Sequence, residues 1–347
     1  MRRITSKLFA LLSIFALSSC SGGSDVFTYQ DYKKANSDLE YYENFRILQL
    51  TDIHFGLATN FAEEWEYFDN VIAEANPDMI VLTGDMFMNA SVDVVEKLYH
   101  YMDNVKNELN NPVPWTVTFG NHDRQGFYTP QFIEGQATYD KYDNCLYVDP
   151  DDNINGHGNH YVNIVSGGEV VWQVIMLDSG SYYSEGATYD YDVIHEEQIA
   201  WYENVIKETN KERYGVADFD SLTPSQIIPS VAFFHIPLWE YQDAWDAWEA
   251  SGFDEDMGSG VYEDSGVWHG HYNSGLFAKA KELGSTRGMY VGHDHMNNFA
   301  IFYEGIMLSY GVKSGRGIYH NPDMIGGQVV VLADDGSVSV ERIFVAY

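Results

Sequence analysis

Apolar runs of strand length alternate with segments of helical spacing in the first third of the chain. Phe45–Leu50 and Met79–Thr83 are short apolar runs, and residues 113–119 form a third. Between them, residues 60–75 and 92–109 carry apolar side chains at every third or fourth position, a spacing typical of helices with one buried face. This order predicts a mainly parallel sheet with helices outside it.

The remainder of the chain contains further strand patterns and one clear helix pattern, at residues 196–209. The predicted strands cover residues 161–165, 170–177, 227–234, 288–291, 299–303, 305–310, 328–332 and 337–344. The last four of them alternate in the manner of antiparallel hairpins. Residues 124–160 and 239–275 are rich in Tyr, Trp, Asp and Gly, so we interpret both as long loops over one end of the sheet.

Five of the predicted strands end in side chains that commonly bind metal ions. These side chains are Asp52 and His54, Asp85, Asn121 with His122, His235, and His293 with His295. Ligand sites of open α/β sheets form just beyond the carboxyl ends of the strands, so we expect the five strand ends to form one cluster. Carboxylates, an amide and several imidazoles are costly to bury together unless cations accompany them. The pattern therefore predicts a metal centre.

The charge balance narrows the range of partners. The 347 residues are 45% hydrophobic, which is enough for a large core. The 19 basic and 52 acidic residues give a net charge of −33. Such a surface repels nucleic acid polymers and anionic membranes, so we expect neither as a partner.

The N-terminus has the features of a targeting segment. Arg2, Arg3 and Lys7 precede the apolar residues 8–17, and the sequence Leu-Ser-Ser-Cys at 17–20 resembles a bacterial lipobox. We expect residues 1–20 to be a lipoprotein signal peptide with Cys20 lipidated, residues 21–44 a flexible tether, and residues 45–347 the catalytic domain. The protein would then be lipid-anchored in a bacterial cell envelope, periplasmic or on the outer surface, and would contact the membrane only through that lipid.

The motifs at the strand ends together resemble those of the calcineurin-like metallophosphoesterase superfamily. They are Asp-x-His at 52–54, Gly-Asp at 84–85, Gly-Asn-His-Asp at 120–123, His235 and Gly-His-x-His at 292–295. The segments HIPLWEY (235–241), LDSGSYY (177–183) and HEEQIAWYE (195–203) resemble the branch related to purple acid phosphatases. The resemblance implies a four-layer α/β/β/α sandwich of two mixed sheets flanked by helices, with a dimetal site at the strand C-terminal ends.

The resemblance also implies two sets of metal ligands. One ion would bind Asp52, His54, Asp85 and His295, and the other Asp85, Asn121, His235 and His293, with Asp85 bridging the two. Oxygen and imidazole ligands suit divalent or trivalent Mn, Fe or Zn. Met88 stands where purple enzymes have a tyrosine that binds iron, so we do not expect the purple colour.

The same resemblance implies a phosphoester hydrolase with a defined division of roles. Because the acidic surface would repel long polyanions while the two ions attract a single phosphate, we expect a small phosphorylated substrate. A hydroxide bridging the two ions would attack phosphorus, His122 would donate a proton to the leaving oxygen as general acid, and Asp123 would orient the His122 ring. The residues alone also suggest that Arg316 contacts the phosphate, although a plain surface turn fits equally well. Four aromatic residues with helical spacing, Trp239, Tyr241, Trp245 and Trp248, are typical of a core face, with some available to stack on a substrate ring.

Two alternatives to a phosphomonoesterase remain open from the sequence. One is a phosphodiesterase that acts on a nucleotide, a phospholipid headgroup or a phosphorylated glycan. The other is a non-catalytic surface protein that binds glycans through its aromatic loops. Comparing p-nitrophenyl phosphate with its bis ester would separate the two enzymatic alternatives, and the effect of metal removal on turnover would separate both from a binding protein.

Overall fold

The computed structural model describes residues 38–41, 44–125, 130–149, 154–185 and 188–345. Its strands are β1 Asp38–Glu40, β2 Phe45–Leu50, β3 Met79–Thr83, β4 Trp115–Thr118, β5 His160–Ser166, β6 Glu169–Met176, β7 Tyr182–Glu185, β8 Thr188–Tyr191, β9 Ser230–Phe233, β10 Gly258–Ser259, β11 Thr286–Val291, β12 Ala300–Tyr303, β13 Ile306–Tyr310, β14 Gly326–Leu332 and β15 Val338–Phe344. Its helices are α1 Phe61–Ala75, α2 Val92–Asp103, α3 Pro130–Glu134, α4 Glu196–Tyr214, α5 Glu240–Ala250 and α6 Leu276–Leu283.

Two mixed sheets form the centre of the molecule. The first has the strand order β15-β14-β2-β3-β4, in which β2, β3 and β4 are parallel and β14 is antiparallel to β2. The second has the order β1-β5-β6-β9-β11-β13-β12-β10, and its central strands β6, β9, β11 and β13 are parallel. A separate hairpin, β7–β8, lies outside both sheets.

Side chains alternate between the two faces of each strand, and this alternation explains how helices and sheets form layers. In β2, Leu48 and Leu50 belong to the same apolar cluster as α1 and α2, whereas Phe45 and Ile47 belong to the cluster between the sheets. Strands of the second sheet divide in the same way: Ile175 of β6 packs with α4, α5 and α6, and its neighbour Val174 faces the other sheet. Because successive side chains of a strand point to opposite faces, each sheet is buried on both sides. The four-layer α/β/β/α arrangement is therefore confirmed.

Several elements differ from those expected from the sequence. The segment 239–275, predicted as a loop, contains α5, and the aromatic residues Tyr241 and Trp248 are buried on its inner face. Strand β1 lies inside the segment 21–44 that was predicted to be a tether and pairs with β5. Residues 1–37, which include Cys20, lie outside the described part of the chain. None of the helices that the structure describes is both long and apolar enough to cross a bilayer.

Helix α2 ends at Asp103, six residues before the predicted boundary at 109. The following residues include Asn104 and Asn107, and their side chains bond to nearby backbone. The Asn104 amide donates to the carbonyl of His100, and the Asn107 carbonyl accepts the N–H groups of Leu109 and Asn111. Such local bonds offer the backbone an alternative to the helix ladder, and apolar periodicity alone does not reveal this competition.

Candidate metal centre

The strand ends converge where the carboxyl edges of the two sheets meet. Asp52 and His54 follow β2, Asp85 follows β3, Asn121 and His122 follow β4, His235 follows β9, and His293 and His295 follow β11. Six of these side chains form two groups in which the ligand atoms lie within 4.8 Å of one another. One group is Asp52, His54 and His295, and the other is Asp85, His235 and His293. Each group thus draws on both sheets.

Asp85 lies between the two groups. Its Oδ2 atom is 3.3 Å from Nε2 of His235 and 3.9 Å from Nε2 of His54, so it neighbours a ligand of each group. Its Oδ1 atom accepts a hydrogen bond of 2.7 Å from the backbone N–H of His122. This position is the one expected of a carboxylate shared by two ions.

The donor atoms fit bound cations. The Nε2 atoms of His54 and His295 are only 3.0 Å apart, and Nδ1 of His293 is 3.3 Å from Nε2 of His235. Asn121 Oδ1 is buried without a hydrogen-bond partner among the described residues. Converging ring nitrogens and an unpaired carbonyl oxygen are costly in a protein interior unless a proton or a cation lies among them. The residues present therefore fit two metal ions.

The protein environment shifts the pKa of several ligands, and most of them are held in the protonation state that binds metal. Burial lowers the pKa of His293 to about 3 and that of His54 well below its usual value, so both rings are neutral at physiological pH. Burial alone would raise the pKa of Asp52, but a hydrogen bond from His295 and the charge of His235 lower it well below its usual value. Burial opposes protonation of His235, yet the charge of Asp85 raises the pKa of His235 to about 10. Metal binding would consequently release the proton of His235.

The backbone at the strand ends is strained and closely packed. Asp52, His54, Asp85 and His293 all have positive φ angles, between 50° and 80°, which non-glycine residues rarely adopt. Gly120 allows the loop after β4 to approach the loop after β3, because a Cβ atom there would lie 2.2 Å from Oδ1 of Asp85. Strain of this kind persists only where the surrounding structure enforces it, as expected for a rigid ligand cage.

His122 and Asp123 do not form the pair predicted from the sequence. The carboxylate of Asp123 accepts the backbone N–H groups of Phe87 and Gly120, at 3.0 and 2.8 Å, so it joins the loops after β3 and β4. The assignment of Asp123 as the orienting partner of His122 is therefore wrong. Instead, Nδ1 of His122 lies 2.8 Å from Oε1 of Gln125, and its Nε2 lies 4.0 Å from Oδ2 of Asp85.

Tyr182 links the neighbours of His122. Its hydroxyl oxygen accepts hydrogen bonds from Nε2 of Gln125, at 2.8 Å, and from Nδ2 of Asn121, at 3.1 Å. The second bond turns the Asn121 carbonyl oxygen away from Tyr182 and leaves it available to a metal ion. Gln125 and Tyr182 were missed from the sequence. Tyr182 lies in the segment LDSGSYY already noted, whereas Gln125 lies two residues beyond the Gly-Asn-His-Asp motif, and its closeness to His122 in the chain was the only available signal.

The profile of the calcineurin-like phosphoesterase family matches residues 45–296. The chain belongs to this family. The resemblance inferred from the motifs is confirmed, including the link to purple acid phosphatases. Probable inactive purple acid phosphatase 29 of Arabidopsis thaliana is 27% identical over 337 residues, which cover 90% of this chain and 82% of that protein. Phosphatase DCR2 of Saccharomyces cerevisiae is 27% identical over 278 residues, which cover 74% of this chain and 45% of that protein.

A solved structure supports the fold. A dimetal phosphatase from Danio rerio superposes with a TM-score of 0.52 at 10% sequence identity, covering 87% of this chain and 99% of that one. At this level of identity the likeness concerns the architecture alone.

Two basic residues of this phosphoesterase lie near the metal ligands. Their side chains bond to protein groups, and neither belongs to the cavity lining. Arg316 donates from Nε to Oε1 of Glu64 at 2.9 Å and contacts Glu63 at 3.4 Å. It therefore joins its loop to α1, and the prediction that it contacts phosphate is wrong. Lys313 was missed from the sequence. It is buried and donates to the backbone carbonyl of Asp52 at 2.6 Å, and burial lowers its pKa to about 8.

A cavity of about 330 Å³ opens above the metal ligands. Its lining residues are Asp85, Asn121, His122, Tyr191, Asp264, Ser265, Trp268, His293, Asp294, His295, Ile318 and Tyr319. His269 and His271, a further His-x-His pair in the sequence, are absent from this lining and from both ligand groups. His269 packs against Trp239, and His271 stacks on Tyr183. The phosphoesterase cavity thus combines the ligand groups with the aromatic side chains of Tyr191, Trp268 and Tyr319.

Replacing Gln125 by alanine is expected to lower kcat about 10- to 100-fold for esters with poor leaving groups, with little change in KM. The reason is that His122 would lose the acceptor that orients its ring, and losses of such supporting hydrogen bonds typically cost this much. Steady-state kinetics on a series of phosphate esters would measure the effect. The matched control is Gln242→Ala on α5, outside the cavity lining. A loss that is equal for good and poor leaving groups would contradict an orienting role.

Proposed function

We propose that the chain is a metal-dependent phosphomonoesterase that acts on a small phosphorylated substrate. The observation that carries this proposal is the place of Asp85, whose Oδ2 atom neighbours ligands of both groups while Nε2 of His122 lies 4.0 Å away in the same cavity. A carboxylate shared by two ions next to a proton donor suits metal-dependent phosphoester hydrolysis. When bound, the two ions would supply an activated water and neutralise charge on the phosphate oxygens.

The protein side chains divide the remaining tasks. Gln125 Oε1 accepts the Nδ1–H of His122, so Nε2 is the ring atom left to face the substrate and, in the imidazolium form, holds the proton available for transfer. Nε2 is therefore the atom that would protonate the leaving oxygen as the bond to phosphorus breaks. The His122 side chain is 24% exposed, in keeping with a place between the ligands and the mouth of the cavity. The backbone N–H of His122 meanwhile holds Asp85 in its shared position.

The names of three relatives raise the possibility of a protein without catalytic activity. Purple acid phosphatases 14, 28 and 29 of Arabidopsis thaliana are all called probable inactive. In this chain, by contrast, both ligand groups are assembled and His122 lies beside Asp85. These features favour catalysis over a purely binding role, and metal identity stays open among Mn, Fe and Zn.

Removing the metals is expected to abolish turnover of p-nitrophenyl phosphate and to lower the melting temperature. Turnover is lost because the ions supply the activated water and neutralise charge on the phosphate. The melting temperature falls because the ions stabilise the folded form to which they bind. The measurement is dialysis against a chelator, followed by assay and thermal unfolding before and after Mn, Fe or Zn is restored. Turnover that continues without metal would refute the proposal. A metal-dependent melting temperature with no turnover would instead indicate the non-catalytic alternative.

The monoester preference needs a separate comparison. We expect p-nitrophenyl phosphate to be hydrolysed faster than its bis ester, and the reverse order would establish the phosphodiesterase alternative. Anchoring through a lipid on Cys20 and a location in the bacterial envelope stay predictions from the sequence, as does the exclusion of nucleic acid polymers.

A further inference from the structure

Large apolar side chains are exposed on one side of the cavity. Trp268 and Tyr319 are each 49% exposed and Ile318 is 39% exposed, and all three belong to the cavity lining together with Tyr191. We call the three aromatic residues Tyr191, Trp268 and Tyr319 the aromatic rim, and Ile318 lies next to it. Exposed apolar groups gathered at a concave site are typical of ligand-binding surfaces.

The aromatic rim is held rigidly against the metal ligands. The Tyr319 ring stacks on the His295 ring with centroids 4.2 Å apart, and the Tyr191 ring meets the His293 ring edge-on at 4.3 Å. The Tyr319 hydroxyl donates to Oδ2 of Asp264 at 3.3 Å. Two of the rim rings therefore have fixed positions relative to the ligand groups, which reduces the entropy lost when a ligand stacks on them.

Backbone strain occurs beside the same rim. Ile318 has a φ angle of 62°, which is exceptional for a β-branched residue. The ion pairs of Arg316 with α1 lie on one side of it, and on the other side the Tyr319 carbonyl oxygen accepts the Nδ1–H of His295 at 2.9 Å. Strain enforced at a cavity is a recurrent property of binding sites.

Two acidic residues of the lining lie beside the aromatic rim. Asp264 is partly exposed, and its Oδ2 atom accepts the Tyr319 hydroxyl. Asp294 is 2% exposed, its Oδ2 atom accepts bonds from the Tyr310 hydroxyl and the Trp268 N–H, and its Oδ1 atom is buried as well, so Asp264 is the carboxylate that a substrate can reach. Among the described residues of the lining there is no lysine or arginine. Beyond the metal ions, a second anionic group on the substrate would therefore lie near Asp264 with no basic side chain of the lining to pair with it.

We propose that the aromatic rim and the Asp264 carboxylate select phosphomonoesters whose leaving group is an uncharged ring bearing hydroxyl groups. The ring face would pack on Trp268 and Tyr319, and a hydroxyl group of the ring would donate to Asp264. This inference rests on the proposed phosphomonoesterase function and names its substrate class. The helix α5 aromatics do not serve this purpose, because Trp239, Tyr241, Trp245 and Trp248 lie outside the cavity lining.

Sugar phosphates and nucleoside monophosphates share this chemistry, so the experiment contains both. The full-length, metal-loaded protein is assayed with glucose 6-phosphate, adenosine 5′-monophosphate, the acyclic glycerol 2-phosphate, and adenosine 5′-diphosphate as a more anionic counterpart. We expect kcat/KM to be higher for one or both ring monophosphates than for the acyclic ester, and lowest for the diphosphate. The ring monophosphate with the higher kcat/KM shows whether the preferred leaving group is a sugar or a nucleoside.

Variants of the rim then test which residues carry the preference. Trp268→Ala is expected to lower kcat/KM for the preferred ring ester roughly tenfold, a size typical of a lost stacking contact, and to change the acyclic ester by less than about twofold. Trp268→Phe should restore much of the loss. Phe302→Ala is the matched control, since Phe302 is 42% exposed on β12 and lies outside the cavity. Thermal unfolding of each variant verifies that it is folded.

The outcomes separate this inference from the proposed function. Hydrolysis of the acyclic ester at or above the rate of both ring esters, or an equal loss for all esters in Trp268→Ala, would overturn the inference and leave the phosphomonoesterase intact. Absence of turnover with every ester, in protein shown to contain metal, would overturn both.

Discussion

Replacing Asp85 by asparagine is expected to reduce phosphoester hydrolysis by roughly 10³-fold or more. Asp85 is the side chain that neighbours ligands of both groups, so its substitution weakens both ions and removes the negative charge that balances them. Metal ions contribute several kcal/mol to the stabilisation of charge in reactions of this kind, and about 1.4 kcal/mol corresponds to each tenfold of rate. The measurement is the metal content of the purified variant together with its kcat.

Asparagine retains the shape and the hydrogen-bond acceptor that Asp85 offers to the N–H of His122, so the fold should survive. Circular dichroism would verify this point. The matched control is Asp93→Asn on α2, where the carboxylate is exposed and pairs with Lys97. A variant that keeps two equivalents of metal and full activity would show that Asp85 is not the shared ligand.

Replacing His122 by alanine is expected to have the second largest effect, and its size should depend on the leaving group. General acid catalysis is typically worth 10²- to 10⁴-fold, and it matters most when the departing oxygen is strongly basic. Turnover of an alkyl phosphate should therefore fall by about that factor, whereas p-nitrophenyl phosphate should be affected much less. A plot of log kcat against leaving-group pKa should become steeper in the variant.

The control for His122→Ala is a histidine of similar exposure that lies outside the site. His195 serves this purpose, because its side chain is 27% exposed and its Nε2 contacts Asp192 at the start of α4. His122→Ala should also retain its metal, since His122 belongs to neither ligand group. Unchanged slopes for the two proteins would remove His122 from the role of proton donor.

The sequence predicts the ligand positions well because they follow from strand ends. Buried strands such as Met79–Thr83 are recognisable from their apolar runs, and the residues that follow them must lie at the carboxyl edge of a sheet. The layering could be inferred only through the resemblance, because apolar runs such as those of β2 and β3 are buried on both faces and do not reveal what lies on either side.

The surroundings of the ligands could not be predicted in the same way. The contacts of His122 with Gln125, and of Arg316 with Glu64, depend on side-chain directions in loops and on elements distant in the chain. Adjacency favoured Asp123 as the partner of His122, yet two backbone N–H groups bind its carboxylate instead. The aromatic rim joins residues 191, 268 and 319, and no local pattern marks residues so far apart as neighbours.

The participation of both sheets in each ligand group has a consequence for the molecule as a whole. His54 and His295 are 241 positions apart in sequence, so an ion held between them cross-links the two halves of the sandwich. Closing so long a loop costs an unfolded chain considerable entropy, and a bound ion offsets part of that cost by binding only the assembled form. Loss of metal would then weaken the contact between the two sheets as well as abolish hydrolysis. The ions that serve turnover would therefore also stabilise the fold as internal cross-links.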